Sequence, residues 1–374
     1  MRDISWQRGL IFAILVLGIS AFTGAVAGWY SGHLSVLPEI SGLQQVFQDQ
    51  LTRIRPAATT TIVEVPVVVP TLASSYPDLF VTRSTSPVLT LVRRASAAKG
   101  ETDIVTADRV IGSAVSLTSD GWFVTPDVTV SGLRLADFSV VWQGRTFPIV
   151  QGVRDTATGA VFLKANITGL PVTSLLRGTD VLPGTGVWVE VLPHDIRPSV
   201  ITNVSARATT TAVLSSEFAN RRFALATSVS EASGGAVWNA RGDLVGLVVK
   251  GSRTGDAMRV LPANNLIQAL QSLLSQREIR HASLGIRAVD LASVVFESAR
   301  QPAMSGAWIM PSTTAISNVT PAGPAATALQ EGDVIDRVER DVIDGRADLG
   351  ERLFDYRPGS AVTLYGTRKD VPFQ

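Results

Sequence analysis

The stretch Glu231-Ala232-Ser233-Gly234-Gly235-Ala236-Val237-Trp238-Asn239-Ala240-Arg241-Gly242-Asp243-Leu244-Val245-Gly246 decides how this chain is read. A serine followed by two glycines in a tight turn exposes its Oγ. The same turn lets backbone N–H groups converge on a developing negative charge. The β-prone run after it, the turn at Arg241-Gly242-Asp243 and the apolar run from Leu244 predict a hairpin that holds the loop rigid. By itself Ser-Gly-Gly is an ordinary glycine-rich turn, and its meaning depends on what surrounds it.

Outward from that hairpin, residues 76–275 carry many short strand signals. They fall at 88–92, 114–117, 122–124, 139–142, 187–191 and 244–249, with turns such as Ser119-Asp120-Gly121 between them. Short strands with frequent turns and few helices predict a barrel or sandwich. One helix is expected at 262–276, with Leu266, Ile267, Leu270, Leu273 and Leu274 on one face. Beyond it the texture is mixed α+β. Strands are expected at 305–310, 333–338 and 361–365, and a helix at 348–356.

Three blocks give the serine its context. Upstream stands Gly112-Ser113-Ala114-Val115-Ser116-Leu117-Thr118-Ser119-Asp120-Gly121-Trp122-Phe123-Val124-Thr125. Then comes Asp155-Thr156-Ala157-Thr158-Gly159-Ala160-Val161-Phe162-Leu163-Lys164, and after the helix Ser283-Leu284-Gly285-Ile286. In order and spacing these blocks, with the serine loop, resemble the HtrA-type serine proteases over residues 76–370. The resemblance implies a mainly β fold: a chymotrypsin-like double six-stranded β-barrel at 76–275, then an α+β PDZ domain at 276–374. It also implies peptide or unfolded-protein ligands, C-terminal ones among them, and makes a trimeric homo-oligomer an expectation.

The departures from that family fall on its catalytic positions. Where the family has Val-Thr-Asn-x-His, this chain has Val124-Thr125-Pro126-Asp127-Val128, so Val128 stands at the position of the base. Gly159 stands at the position of the acid, and Glu231 replaces the glycine two residues before the serine. Valine accepts no proton, and a serine hydroxyl without an adjacent base is a weak nucleophile. Glu231, Ala232 and Ser233 make up the oxyanion loop, where the Glu231 carboxylate adds charge of the wrong sign. Ser233 is read as a small turn residue at the nucleophile position, against the rival reading of a nucleophile with a non-standard base. The candidates for such a base are His194, Lys164, Lys250 and Asp127, with His33 and His281 placed away from the loop.

Ser283, Leu284, Gly285 and Ile286 match the family's carboxylate-binding loop, where backbone N–H groups hold a peptide terminus and the peptide adds as a strand. The alternative is that Leu284 and Ile286 are core residues of a strand. The chain closes with Val371-Pro372-Phe373-Gln374, shorter than the family's last strand, and an incomplete pocket is expected on that ground.

The N-terminus bears on the compartment. Residues 9–30 are uncharged, against the roughly 20 helical residues that cross a bilayer. Arg2 and Arg8 precede them and no Lys or Arg follows until Arg53. The positive-inside rule makes 1–8 a cytoplasmic tail, 9–30 one N-terminal transmembrane helix and the rest extracytoplasmic. A cleaved signal peptide, with Ala25-Val26-Ala27 as its cleavage site, is the rival reading. Residues 31–75 read as a stalk with Ile40, Leu43, Val46, Phe47, Leu51 and Ile54 at helical spacing, either self-associating, packed on the barrel or lying on the membrane.

Composition agrees with a protein that buries large cores: 374 residues, 45% hydrophobic, 17% charged, formal net charge +1. That balance points to no nucleic acid. With no cysteine and no cluster at metal-ligand spacing, no disulfide, metal or cofactor is expected. Three functions follow as expectations: a peptide-binding pseudoprotease, an active serine endopeptidase through Ser233, or an oligomeric scaffold.

Overall fold

The computed structural model describes residues 85–95, 104–177, 181–209, 211–227, 233–250, 258–297, 301–313 and 316–374. The expected membrane segment 9–30 and stalk 31–75 lie outside the described residues. Among the described residues, no helix is long and apolar enough to cross a membrane.

The first barrel is built from β1 (Val88–Arg93), β2 (Val110–Ser116), β3 (Trp122–Pro126), β4 (Phe138–Trp142), β5 (Arg145–Asp155) and β6 (Ala160–Ala165). It closes in the order β1-β2-β3-β6-β5-β4. Alternation along each strand sorts the side chains between two cores. In β1, Leu89 and Leu91 enter the barrel with Phe123, Phe138 and Leu163. Val88 points the other way and packs with Val115, Trp122 and Phe162 against the second barrel.

The second barrel comprises β7 (Gly186–Glu190), β8 (Ile196–Arg207), β10 (Arg221–Leu225), β11 (Ala236–Trp238), β12 (Leu244–Lys250) and β13 (Met258–Pro262), closed in the order β10-β13-β12-β11-β7-β8. Val189, Ile201, Phe223, Val237 and Val248 fill it. Trp238 points instead into the cluster between the barrels, with Leu244, Leu247 and the helix residues Leu266 and Leu273. Its indole N–H donates to Glu190 Oε2 at 3.0 Å. The other Glu190 oxygen accepts from Ser86 Oγ at 2.5 Å and from the His194 backbone N–H at 2.9 Å. A buried carboxylate is tolerated here because three donors replace its water.

Helix α1 (Asn264–Gln276) follows and ends on Arg277, whose left-handed φ of 62° directs its N–H back to the Leu273 carbonyl. A third sheet takes the remainder: β14 (Arg287–Asp290), β15 (Ala307–Trp308), β16 (Val334–Val338), β17 (Asp341–Val342), β18 (Leu364–Arg368) and β19 (Val371–Phe373), with helix α2 (Leu349–Leu353) packed on it. Its order is β19-β18-β16-β15-β14-β9, with β17 on β16. The edge strand β9 (Val213–Ser215) comes from the connection between β8 and β10, inside the segment read as barrel.

Several boundaries differ from those read in the sequence. The helix expected at 348–356 is the single turn-and-a-half of α2, after which Pro358 and Gly359 turn the chain. The strand expected at 361–365 lies at Leu364–Arg368, because pairing of Val338 with Leu364 and Val334 with Thr367 sets its register. The short C-terminus still forms β19, with Gly366 opposite Phe373.

Candidate functional site

Ser233 stands where the two barrels meet, on the loop that leads into β11. Its carbonyl accepts from Ser113 N–H of β2 at 2.9 Å, and the next N–H, Gly234, donates to the Val248 carbonyl of β12 at 2.8 Å. Gly234 has φ +83°, and a Cβ there would stand 1.8 Å from the Ser113 carbonyl oxygen. Only glycine satisfies both the left-handed backbone and that contact. The Ser-Gly pair is therefore pinned to one strand from each barrel.

The Ser233 hydroxyl has two partners within hydrogen-bond reach among the described residues. Thr129 Oγ1 lies 2.8 Å away and shares a hydrogen bond in which either hydroxyl donates. The Val249 carbonyl accepts from Ser233 Oγ at 3.4 Å. Thr129 closes a single 3-10 turn, Asp127–Thr129, and is buried. Val128, in the same turn, is 46% exposed and turned away from the core. The residue that meets the serine is thus Thr129, one position after the one read from the sequence. A hydroxyl beside a hydroxyl gives neither a base near neutral pH.

Gly159 lies on the β5–β6 turn with φ +79°, and its carbonyl accepts from Asp127 N–H at 2.8 Å. A Cβ at this position would stand 3.6 Å from Arg222 Nη2. Arg222 is buried and donates to the carbonyls of Thr158 at 3.0 Å, Ala219 at 2.9 Å and Arg221 at 2.7 Å. Burial pulls its guanidinium below the ordinary arginine value, opposed by the charges of Glu351 and Asp348. A cation thus borders the place where the resemblance puts an acid.

Two of the candidate bases, Lys164 and Asp127, are engaged in ion pairs. Lys164 pairs with Asp120 Oδ2 at 2.6 Å and lies over the Trp122 ring. That hydrogen bond, before any other cause, holds the Asp120 carboxyl below its usual range. Asp127 pairs with Arg154 at 2.5 Å. His281 Nε2 lies 2.9 Å from both Asp155 oxygens, and its ring stacks on Phe354 at 4.3 Å, tying the β5–β6 turn to α2. His194 sits on the β7–β8 turn with φ +67°, its backbone N–H donating to Glu190 Oε1 at 2.9 Å. Glu231, Ala232 and His33 lie outside the described residues, as does the Lys250 side chain. No group of His, Cys, Asp and Glu suited to a metal occurs among the described residues.

The loop Ser283-Leu284-Gly285-Ile286 leads into β14. Leu284 and Ile286 are buried with Val319, Ala325 and Leu353. Gly285 has φ +69°, and its N–H donates to Ser283 Oγ at 3.1 Å. β9 pairs along β14, and Leu214, Ala288 and Leu349 line a cavity between these strands and α2.

Three features were missed in the sequence. Thr129 carried one signal, a polar residue in the apolar run Val128-Thr129-Val130. Arg222 and β9 act through partners far away in the chain, and nothing local announces them.

Among solved structures, the chain is similar to the HtrA-type protease AlgW with a decapeptide, at TM-score 0.54 and 18% identity, over 80% of this chain and 96% of that one. AlgW with a tripeptide gives TM-score 0.54 and 19% identity, over 80% and 95%. No family model and no curated protein matches the sequence. Two closed six-stranded barrels, superimposing on AlgW over four-fifths of the chain, give this protein the chymotrypsin-like fold of the HtrA-type proteases.

Proposed function

We propose that this chain is a membrane-anchored pseudoprotease that takes up extended peptides or unfolded chain ends outside the membrane and does not cut them. The observation that carries the reading is the pairing of Ser233 Oγ with Thr129 Oγ1 at 2.8 Å. A hydroxyl stands at the serine where a base is needed, and removing triad members leaves only about 10³–10⁴-fold catalysis over water. Peptide uptake is assigned to a PDZ-type module at 276–374, with Ser283, Leu284, Gly285 and Ile286 as its carboxylate loop. It is supported by the loop's place at the end of β14 and by the peptides in the AlgW structures. The anchor at 9–30 and an extracytoplasmic location follow from the charge pattern of the N-terminus.

A second reading, an oligomeric scaffold, is favoured by one observation: the groove beside β14 holds the chain's own β9. The test of the first is degradation of casein by the full chain in detergent, beside its Ser233→Ala variant. No cleavage by either is expected. Cleavage by the native chain that is lost in the variant would instead support an endopeptidase with a non-standard base.

A further inference from the structure

Between β8 and β10 the chain leaves the second barrel, becomes the edge of another sheet, and returns. β9 lies antiparallel on β14, with Val213 opposite Val289, Leu214 opposite Ala288 and Ser215 opposite Arg287. It runs toward the loop at 283–286. There the Ser216 N–H donates to the Ile286 carbonyl at 2.9 Å, and the Ile286 N–H donates to Ser216 Oγ at 3.3 Å. Ser283 Oγ donates to Glu217 Oε1 at 3.1 Å. On the opposite wall the Phe218 carbonyl passes so close to α2 that a Cβ on Gly350 would stand 2.5 Å from it. A cavity of ≈ 20 Å³ remains among Leu214, Ser216, Ala288, Ala307, Asp348 and Leu349. That is room for about one water.

These are the contacts of a strand-addition ligand: a backbone ladder along a free edge, with oxygen acceptors offered to the loop at its end. We infer that residues 213–217 are a built-in pseudo-ligand of this groove. They occupy the place of an external extended peptide ending in a free carboxylate, and the groove opens to it only when they leave. The inference rests on the peptide-binding reading above. The segment is suited to leaving. Val213, Leu214 and Ser215 are only half-buried and Glu217 and Phe218 are exposed, with Ser216 alone buried between them. At its base the Ala208 N–H donates to the Asn220 carbonyl at 2.7 Å, a bond that does not involve β9. Occupancy by the segment lowers the apparent affinity for any competitor by the fraction of molecules that are open.

The chain has no cysteine, which makes a cross-strand lock clean to build. Ser215→Cys with Arg287→Cys places two thiols directly opposite each other, at a separation that a disulfide spans. The probe is a fluorescein-labelled peptide Thr-Ala-Val-Leu-Ser-Ser with a free terminal carboxylate, a copy of residues 211–216. Ser216→Pro removes both the N–H and the hydroxyl that hold the segment, and Leu214→Asp weakens it without touching the backbone. With full-length chain in detergent, the disulfide is expected to form on mild oxidation. The oxidised protein should lose probe binding and reduction should restore it, while the releasing variants should bind about tenfold more tightly or better, the gain expected where the open fraction is about a tenth or less. Failure of the disulfide to form would overturn the inference by showing that β9 is not on β14. Equal binding by oxidised and reduced protein would overturn it too, while leaving peptide binding standing at another place. A disulfide that forms while neither releasing variant binds would sink the inference and the peptide-binding reading together.

Discussion

Among the described residues the Ser233 hydroxyl meets two atoms, Thr129 Oγ1 and the Val249 carbonyl, neither of which takes a proton near neutral pH. Restoring the family residues is therefore not expected to restore cleavage. In a Val128→His, Gly159→Asp double variant the new aspartate would enter at φ +79° beside Arg222 and pair with that cation rather than orient a histidine. Casein should stay intact, and Ser233-dependent cleavage by the double variant would contradict this. Gly234→Ala is expected to be severe for a different reason. It places a methyl group 1.8 Å from the Ser113 carbonyl oxygen and forces a left-handed alanine, itself worth about 1–2 kcal/mol. A thermal melt should show a clear loss of stability, and an unchanged midpoint would contradict the pinned loop. At this scale the tight turn at Ser233-Gly234 was legible, because it lies in a local pattern of neighbours. Thr129 was not, because a 3-10 turn decides which of two adjacent side chains faces the serine.

Among the elements, α2 carries the sharpest dependence on pH. Asp348 caps it, accepting from Glu351 N–H at 2.9 Å, and burial together with the nearby Glu351 charge pushes its carboxyl up to about 7. In the unfolded chain that group titrates near 3.8. Between those values the folded protein keeps a proton that the unfolded chain has lost. Its contribution is therefore full below about pH 4, declines as pH rises toward 7 and is flat above. Asn caps as well as Asp and does not titrate. Asp348→Asn should flatten the fall in thermal midpoint between pH 4 and 7, and an unaltered slope would count against the assignment. Of the barrel strands, β1, β3, β4, β7 and β12 were legible from alternation and turn residues close to their observed limits and β2 only in part, whereas β5, β6, β8, β10 and β13 were not picked out. The element that changes the functional picture, β9, was not. Three residues are too few for a periodic signal, and the partner strand lies more than seventy positions along the chain.

For the whole molecule, the two barrels were legible in the sequence, whereas the edge strand that the third sheet takes from within the segment read as barrel was not. The proposed anchor makes its own prediction. The full chain should sediment with membranes and resist extraction by high salt, and a chain lacking residues 1–30 should not. Release of the native chain by salt alone would contradict it. On the proposed reading, the fold of a serine protease is kept here without its chemistry. A fluorophosphonate probe tests it most directly, because it reports the nucleophilicity of Ser233 without requiring a substrate to be guessed. The full chain in detergent should stay unlabelled, as its Ser233→Ala variant does. Labelling of the native chain that disappears in that variant would show an activated serine and contradict the account.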